Sequence, residues 1–142
     1  MFKGILPALI TPLKADNTIW PEATEKLLDY ELQQGADGFY ICGATGEGLV
    51  MQPGERAAFA QLVVGHLRGR APCIAHIAAM AMDTTLDLAR QAEKAGCDAV
   101  AAIPPTYFAY GEDDIYNYYK AISDAVHIPA VSYTHLCRTR RG

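Results

Sequence analysis

Short apolar runs alternate with helix-length amphipathic segments along nearly the whole 142-residue chain, and this alternation is what most restricts the fold. Runs suited to buried strands occur at 5–10, 38–42, 73–77, 99–103 and 128–131, each short and rich in branched or small residues. Between them, four segments each paint one apolar helix face. The first carries Leu27, Leu28 and Leu32, the second Phe59, Val63 and Leu67, the third Leu88, Ala92 and Ala95, and the fourth Ile115, Tyr119, Ile122 and Val126. Pro53 suits a first helical turn, Asp83 can cap a helix start, and Gly35 and Gly96 follow helix ends. Two joints echo each other, Gly35-Ala36-Asp37-Gly38 and Gly96-Cys97-Asp98-Ala99, two βα units apart.

The order β-α-β-α-β-α-β-α-β implies parallel strands with right-handed crossovers, in an open doubly wound sheet or a closed barrel. A five-stranded open sheet would normally finish with a fifth helix, and nothing helical follows the fifth strand. A (β/α)₈ barrel needs about 250 residues, so the same units equally make its first half. On the barrel reading, Ile5, Leu9, Ile41 and Ile74 are of the type that would pack against strands six to eight.

Composition narrows the function class. The chain is 51% hydrophobic and 20% charged with a formal net charge of −4, which argues for a globular domain without general attraction to nucleic acid or anionic membrane. No apolar run reaches the roughly 20 residues of a membrane span, and the opening lacks a signal-peptide pattern, so the sequence predicts a cytoplasmic location. The four cysteines, Cys42, Cys73, Cys97 and Cys137, show no CxxC spacing, and the first three read as small buried residues. His66, His76, His127 and His135 form no HxxxH or HExxH pattern, so neither metal nor cofactor is expected.

Three stretches follow strands, where a parallel α/β fold places its ligands. In Cys42-Gly43-Ala44-Thr45-Gly46-Glu47-Gly48, the glycines allow close backbone approach, leaving N–H groups and the Thr45 hydroxyl free for a carboxylate. Taken alone, they equally serve only the shape of a tight turn. Ile103-Pro104-Pro105-Thr106-Tyr107-Phe108-Ala109-Tyr110 places aromatics in a proline-stiffened loop, as interface anchors or as site groups. Ile128-Pro129-Ala130-Val131-Ser132-Tyr133 ends the fifth strand on a phenol, a packing group or a proton relay.

Together with Ala8-Leu9-Ile10-Thr11-Pro12, these stretches resemble the dihydrodipicolinate synthase/N-acetylneuraminate lyase family of pyruvate-dependent class I aldolases. The resemblance runs from Phe2 to about Tyr133 and implies a partial TIM barrel of four βα units plus strand five. It implies that Thr45, with Gly43, Ala44 and Gly46, holds the pyruvate carboxylate, that Tyr133 shuttles protons, and that Tyr107 serves a neighbouring site across a subunit interface. Ala44 stands where the family usually has Ser or Thr, which removes one hydroxyl from the cradle.

The family's chemistry needs a lysine at the end of strand six to form an imine with pyruvate. The lysines here are Lys3, Lys14, Lys26, Lys94 and Lys120, none after Tyr133, so the chain on its own is expected to be inactive. The resemblance divides it into an N-terminal half-barrel, 1–131, and an atypical tail, 132–142, that departs from the family pattern and reads as a truncation or frame artefact. The implied parent cleaves or condenses pyruvate with an aldehyde or sugar and is a homo-oligomer, commonly a tetramer. Pro104-Pro105-Thr106-Tyr107-Phe108 and His76-Ile77-Ala78-Ala79 lean towards the lyase, and Arg138-Thr139 towards the synthase, so the resemblance favours the N-acetylneuraminate lyase branch with the synthase as the alternative.

Overall fold

The computed structural model describes residues 2–132. Four helices and four strands alternate: α1 (Pro21–Gln33), β1 (Phe39–Ile41), α2 (Pro53–Leu67), β2 (Cys73–His76), α3 (Met82–Ala95), β3 (Ala99–Ala102), α4 (Glu112–Ala125) and β4 (Ala130–Ser132). All neighbouring strands pair in parallel, and their spatial order is their chain order. Each helix packs on the next, α1 on α2, α2 on α3 and α3 on α4, as one curved layer. A doubly wound sheet reverses its strand order and divides its helices between two faces. This sequential arc has the arrangement of a barrel wall.

The run at 5–10 does not form the full strand that its apolar content predicts. It lies beside β1 through a single bridge, Ala8 to Tyr40, with the Leu9 N–H donating to the Tyr40 carbonyl and the Tyr40 N–H to the Pro7 carbonyl. Pro7 has no N–H to extend that ladder. Asp83 lies inside the first turn of α3, not at its cap, which is Ala81. The Thr85 hydroxyl instead accepts from the Ala79 N–H at 3.0 Å, taking up a donor just ahead of the helix.

Residue parity on the strands divides the apolar groups into two layers. Phe39, Ile41, Cys73, Ala75, Val100 and Ala102 face the helices and join Leu28, Phe59, Val63, Leu88 and Ile122 in the main core. Ile74, Ala99 and Ala101 form a second cluster with Phe2, Leu6, Tyr40 and Val131. Of the four side chains expected in that second layer, only Ile74 is there. Leu9 and Ile41 belong to the helix-side core, and Ile5 is 69% exposed. For Ile41 the reason is its position next to Tyr40: the pleat sends adjacent side chains to opposite faces.

The two echoing joints perform the same task. The Asp37 N–H donates to the Ile5 carbonyl at 2.8 Å, while its carboxylate accepts from the Ile5 N–H at 2.8 Å. The Asp98 N–H donates to the Cys73 carbonyl at 2.9 Å, and its carboxylate accepts from the Cys73 N–H at 2.8 Å. Each aspartate thus clasps the start of the preceding strand segment at both polar groups and sets the register just before the ladder begins.

At the opposite end of β2, Arg56 is buried on the apolar stripe of α2 and donates to the His76 carbonyl at 2.6 Å and the Ala78 carbonyl at 2.9 Å. Burial and the nearby guanidinium push the His76 imidazole down to about 4, opposed by its hydrogen bond to the Cys42 backbone. Among the described residues no helix is long and apolar enough to cross a membrane.

Two stability predictions follow from these contacts. Asp98→Ala removes a charged acceptor from the Cys73 N–H and is expected to cost about 1.5–3 kcal/mol in chemical denaturation. His76 has a folded pKa below its unfolded value of 6.5. The unfolded chain therefore binds the proton first, and stability falls as pH drops from about 6.5 to about 4, by about 3 kcal/mol at most. Denaturation curves at the two ends of this window should show the loss in the parent chain and a smaller one in His76→Gln.

Candidate active site

The carboxyl ends of β1, β2 and β3 lie on one edge of the sheet, because all the strands run the same way. Three connections gather there: 42–52 after β1, 77–81 after β2 and 103–111 after β3. The first begins with Cys42 at a φ of 56°, in the left-handed region that a non-glycine residue rarely enters. Cys42 is buried, and burial pushes its thiol up to about 11, so it packs as a neutral group beside Arg56. Glu47 repeats the left-handed turn at a φ of 56°.

Between these two bends the backbone is tightly enclosed. A Cβ on Gly46 would lie 2.7 Å from the Leu9 carbonyl oxygen, and one on Gly48 would lie 1.8 Å from the Cys42 carbonyl oxygen. The Thr11 hydroxyl donates to the Gly46 carbonyl at 2.7 Å, tying the Ala8-Leu9-Ile10-Thr11-Pro12 segment to this loop. Glu47 and Gly48 return their N–H groups to the Ala44 and Gly43 carbonyls, both at 3.1 Å. The N–H groups of Gly43, Ala44, Thr45 and Gly46 donate to no acceptor among the described residues. Four successive free donors of this kind are suited to an anion. Thr45 and Ala44 are exposed, whereas Gly43 and Gly46 are buried.

Tyr107 lies in the third connection, 74% exposed, with its ring edge-on to Phe108 at 4.8 Å between centroids. A small cleft of about 30 Å³ lies between the three connections, with Leu49, Ala79, Met80, Pro105, Tyr107 and Tyr110 on its walls. Thr45 shares the sheet edge with Tyr107 but does not line that cleft. Tyr133 lies outside the described residues, one position beyond the last residue of β4.

Arg56 is a site-supporting residue that motif reading does not pick out, and Thr11, quoted within the Ala8–Pro12 motif, had no role assigned there. For Arg56 a signal was available: a charge on the same helical stripe as Phe59, Val63 and Leu67 has to find a buried partner. Tyr118 is another buried polar group near this edge, its phenol pushed up to about 12 by burial. The loop's enclosure has a direct consequence: Gly48→Ala forces the Cys42 backbone to move and is expected to cost about 1–3 kcal/mol, read by thermal or chemical denaturation.

Known proteins share this arrangement. The dihydrodipicolinate synthetase family model matches residues 1–141. A 4-hydroxy-tetrahydrodipicolinate synthase from Pelobacter propionicus is 34% identical over 139 residues, covering 98% of this chain and 48% of that protein. An N-acetylneuraminate lyase from Rhizobium meliloti is 33% identical over 137 residues, covering 96% and 46%. Among solved structures, a prophage protein of the dihydrodipicolinic acid synthase family from E. coli K12, in complex with pyruvate, superposes with a TM-score of 0.91 at 28% identity, covering 96% of this chain and 46% of that one. The chain spans about half the length of the curated relatives it matches. With a family match over nearly its whole length and a sheet laid out as one side of a TIM barrel, the chain belongs to the dihydrodipicolinate synthetase family.

Proposed function

We propose that this chain carries the pyruvate-carboxylate cradle of a Schiff-base-forming, pyruvate-dependent aldolase. The observation that carries the reading is the run of four unbonded N–H groups at Gly43, Ala44, Thr45 and Gly46, at the carboxyl end of a parallel strand. The likeness to a family member solved with pyruvate supports it. The backbone donors orient the carboxylate, and the Thr45 hydroxyl adds one hydrogen bond. Ala44 contributes only its N–H, so this cradle has one hydroxyl where the family commonly has two.

The covalent step belongs to an amine that this chain does not bring to the mouth. Lys26, Lys94 and Lys120 are on α1, α3 and α4, and Lys3 and Lys14 precede α1. None lies in the connections after β1, β2 and β3. Lys120 is also paired with Asp124 at 2.6 Å. The 142-residue chain by itself therefore binds pyruvate without forming an imine. In this reading residues 1–131 are the N-terminal half-barrel and 132–142 an atypical tail.

Tyr133 takes the proton-relay role in the same proposal. Tyr107, projecting from its loop with Phe108 against it, serves a neighbouring subunit of a homo-oligomer. Retro-aldol release of pyruvate, as in the lyase, and condensation of pyruvate with an aldehyde, as in the synthase, share this carboxylate-binding step. Relatives of both kinds stand at 33–34% identity, so the cradle is the common element.

Titrating labelled protein with pyruvate tests the cradle. The amides of residues 43–46 should shift with millimolar affinity, about −4 kcal/mol, and Thr45→Val should weaken binding roughly threefold to tenfold, the loss of one hydrogen bond. Unmoved amides at saturating pyruvate would remove the proposal. Borohydride treatment with pyruvate should leave the mass of this chain unchanged, and a pyruvyl adduct on any of the five lysines would refute the binding-only reading.

A further inference from the structure

We propose that Cys73 and Cys97 form an oxidisable dithiol at the amino-terminal end of the sheet, closing to an intrachain disulfide when the chain meets a small-molecule disulfide such as oxidised glutathione. Cys73 opens β2, and Cys97 lies two residues before β3, the strand beside it. Both are buried, at 1% and 3% exposure. Their thiols are in hydrogen-bond contact with each other.

The backbone around the pair brings the two cysteines side by side, one residue out of register. The Asp98 clasp binds the Cys73 N–H and carbonyl at 2.8 and 2.9 Å, so residue 97 is held next to residue 73. Neighbouring strands lie about 4.8 Å apart, and disulfides join Cα atoms separated by about 4.4–6.8 Å. The Cys97 N–H is also anchored, donating to the Ala92 carbonyl at 3.0 Å in the turn that ends α3. Cys42 is the third buried thiol, beside Arg56 and near both others, and the pair proposed for oxidation is the one whose backbone the Asp98 clasp holds together.

The two thiols have unequal roles. Cys73 donates to the Cys97 sulfur, which holds the Cys97 thiol below its ordinary range against the opposing effect of burial and pushes the Cys73 thiol up. Cys97 is thus the attacking group. When the end of α3 opens, the Cys97 thiolate attacks one sulfur of oxidised glutathione, forming a mixed disulfide and releasing a glutathione thiolate. Cys73 then loses its proton and attacks the Cys97 sulfur, expelling the second glutathione. Two protein thiols are oxidised, one glutathione disulfide is reduced to two thiols, and no other reactant is needed.

The test treats the folded 142-residue chain with oxidised glutathione, unfolds it in an alkylating agent and maps its peptides by mass spectrometry. The expected product is a crosslinked peptide pair holding Cys73 and Cys97, lighter by two hydrogens and released by dithiothreitol, with Cys42 still alkylated. The Cys42→Ala/Cys137→Ala double variant should give the same crosslink, and Cys97→Ser should give neither crosslink nor glutathione adduct at Cys73. The wild-type map decides the question even if a variant folds poorly. Full alkylation of Cys73 and Cys97, a persistent glutathione adduct on either, or a crosslink through Cys42 or Cys137 would overturn the proposal.

Discussion

A parallel sheet has no tight turn to align its strands, so something else has to set which residue faces which. Here Asp37 and Asp98 do so, each binding the N–H and carbonyl of the residue that starts the preceding segment. The constraint is strong because side chains alternate faces: a slip of one residue would turn Phe39, Ile41, Ala75 and Val100 away from the helices and bring Tyr40, Ile74, Ala99 and Ala101 against them. The placing of the 5–10 segment on β1 and of β2 on β3 is held by these two clasps, and with it the parity of the residues that face the helices.

The site edge is held by a different set of contacts. Arg56 reaches from α2 to the carbonyls of His76 and Ala78, where β2 ends and the next connection begins. A buried guanidinium is costly unless its donors are used, and here two of them bond the carbonyls of His76 and Ala78. Next to it, Cys42 accepts a left-handed backbone and Gly48 lies against it, so the connection after β1 folds back immediately. Thr11 closes the loop from the other side through Gly46. Ala44 and Thr45, with unbonded N–H groups, are what this enclosure presents to solvent, and the Gly43 and Gly46 donors lie buried behind them. Rigid support from behind is what a small anion requires, because a floppy loop would lose part of its binding energy in becoming ordered.

Much of this was legible before any coordinates. Pro53 at the first turn of α2, Gly96 at a φ of 90° after α3 and the buried faces of all four helices follow from local chemistry that needs no distant partner. The glycine-rich stretch after the second predicted strand is likewise a loop at a strand end. Other features were hidden because they depend on residues far along the chain. The run at 5–10 has a strand's composition, but its pairing is limited by Pro7 and by what β1 offers beside it. The repeated Gly-x-Asp joints are visible as a repeat, yet their purpose appears only when Asp98 is seen against Cys73 and Asp37 against Ile5.

The sequence by itself determined the α/β alternation, the helix faces and the family, because periodicity, turn residues and motif order are local and survive in one dimension. Tertiary structure decided between an open doubly wound sheet and a barrel wall, since strand order and the side on which helices pack are relations between elements. It also decided which apolar residues face the helices: Ile41 and Ile74 are chemically alike, and only the pairing register places them on opposite sides of the sheet. The same is true of Arg56, a helix charge in the sequence and the anchor of a strand end in the fold, because carbonyls many residues away satisfy it.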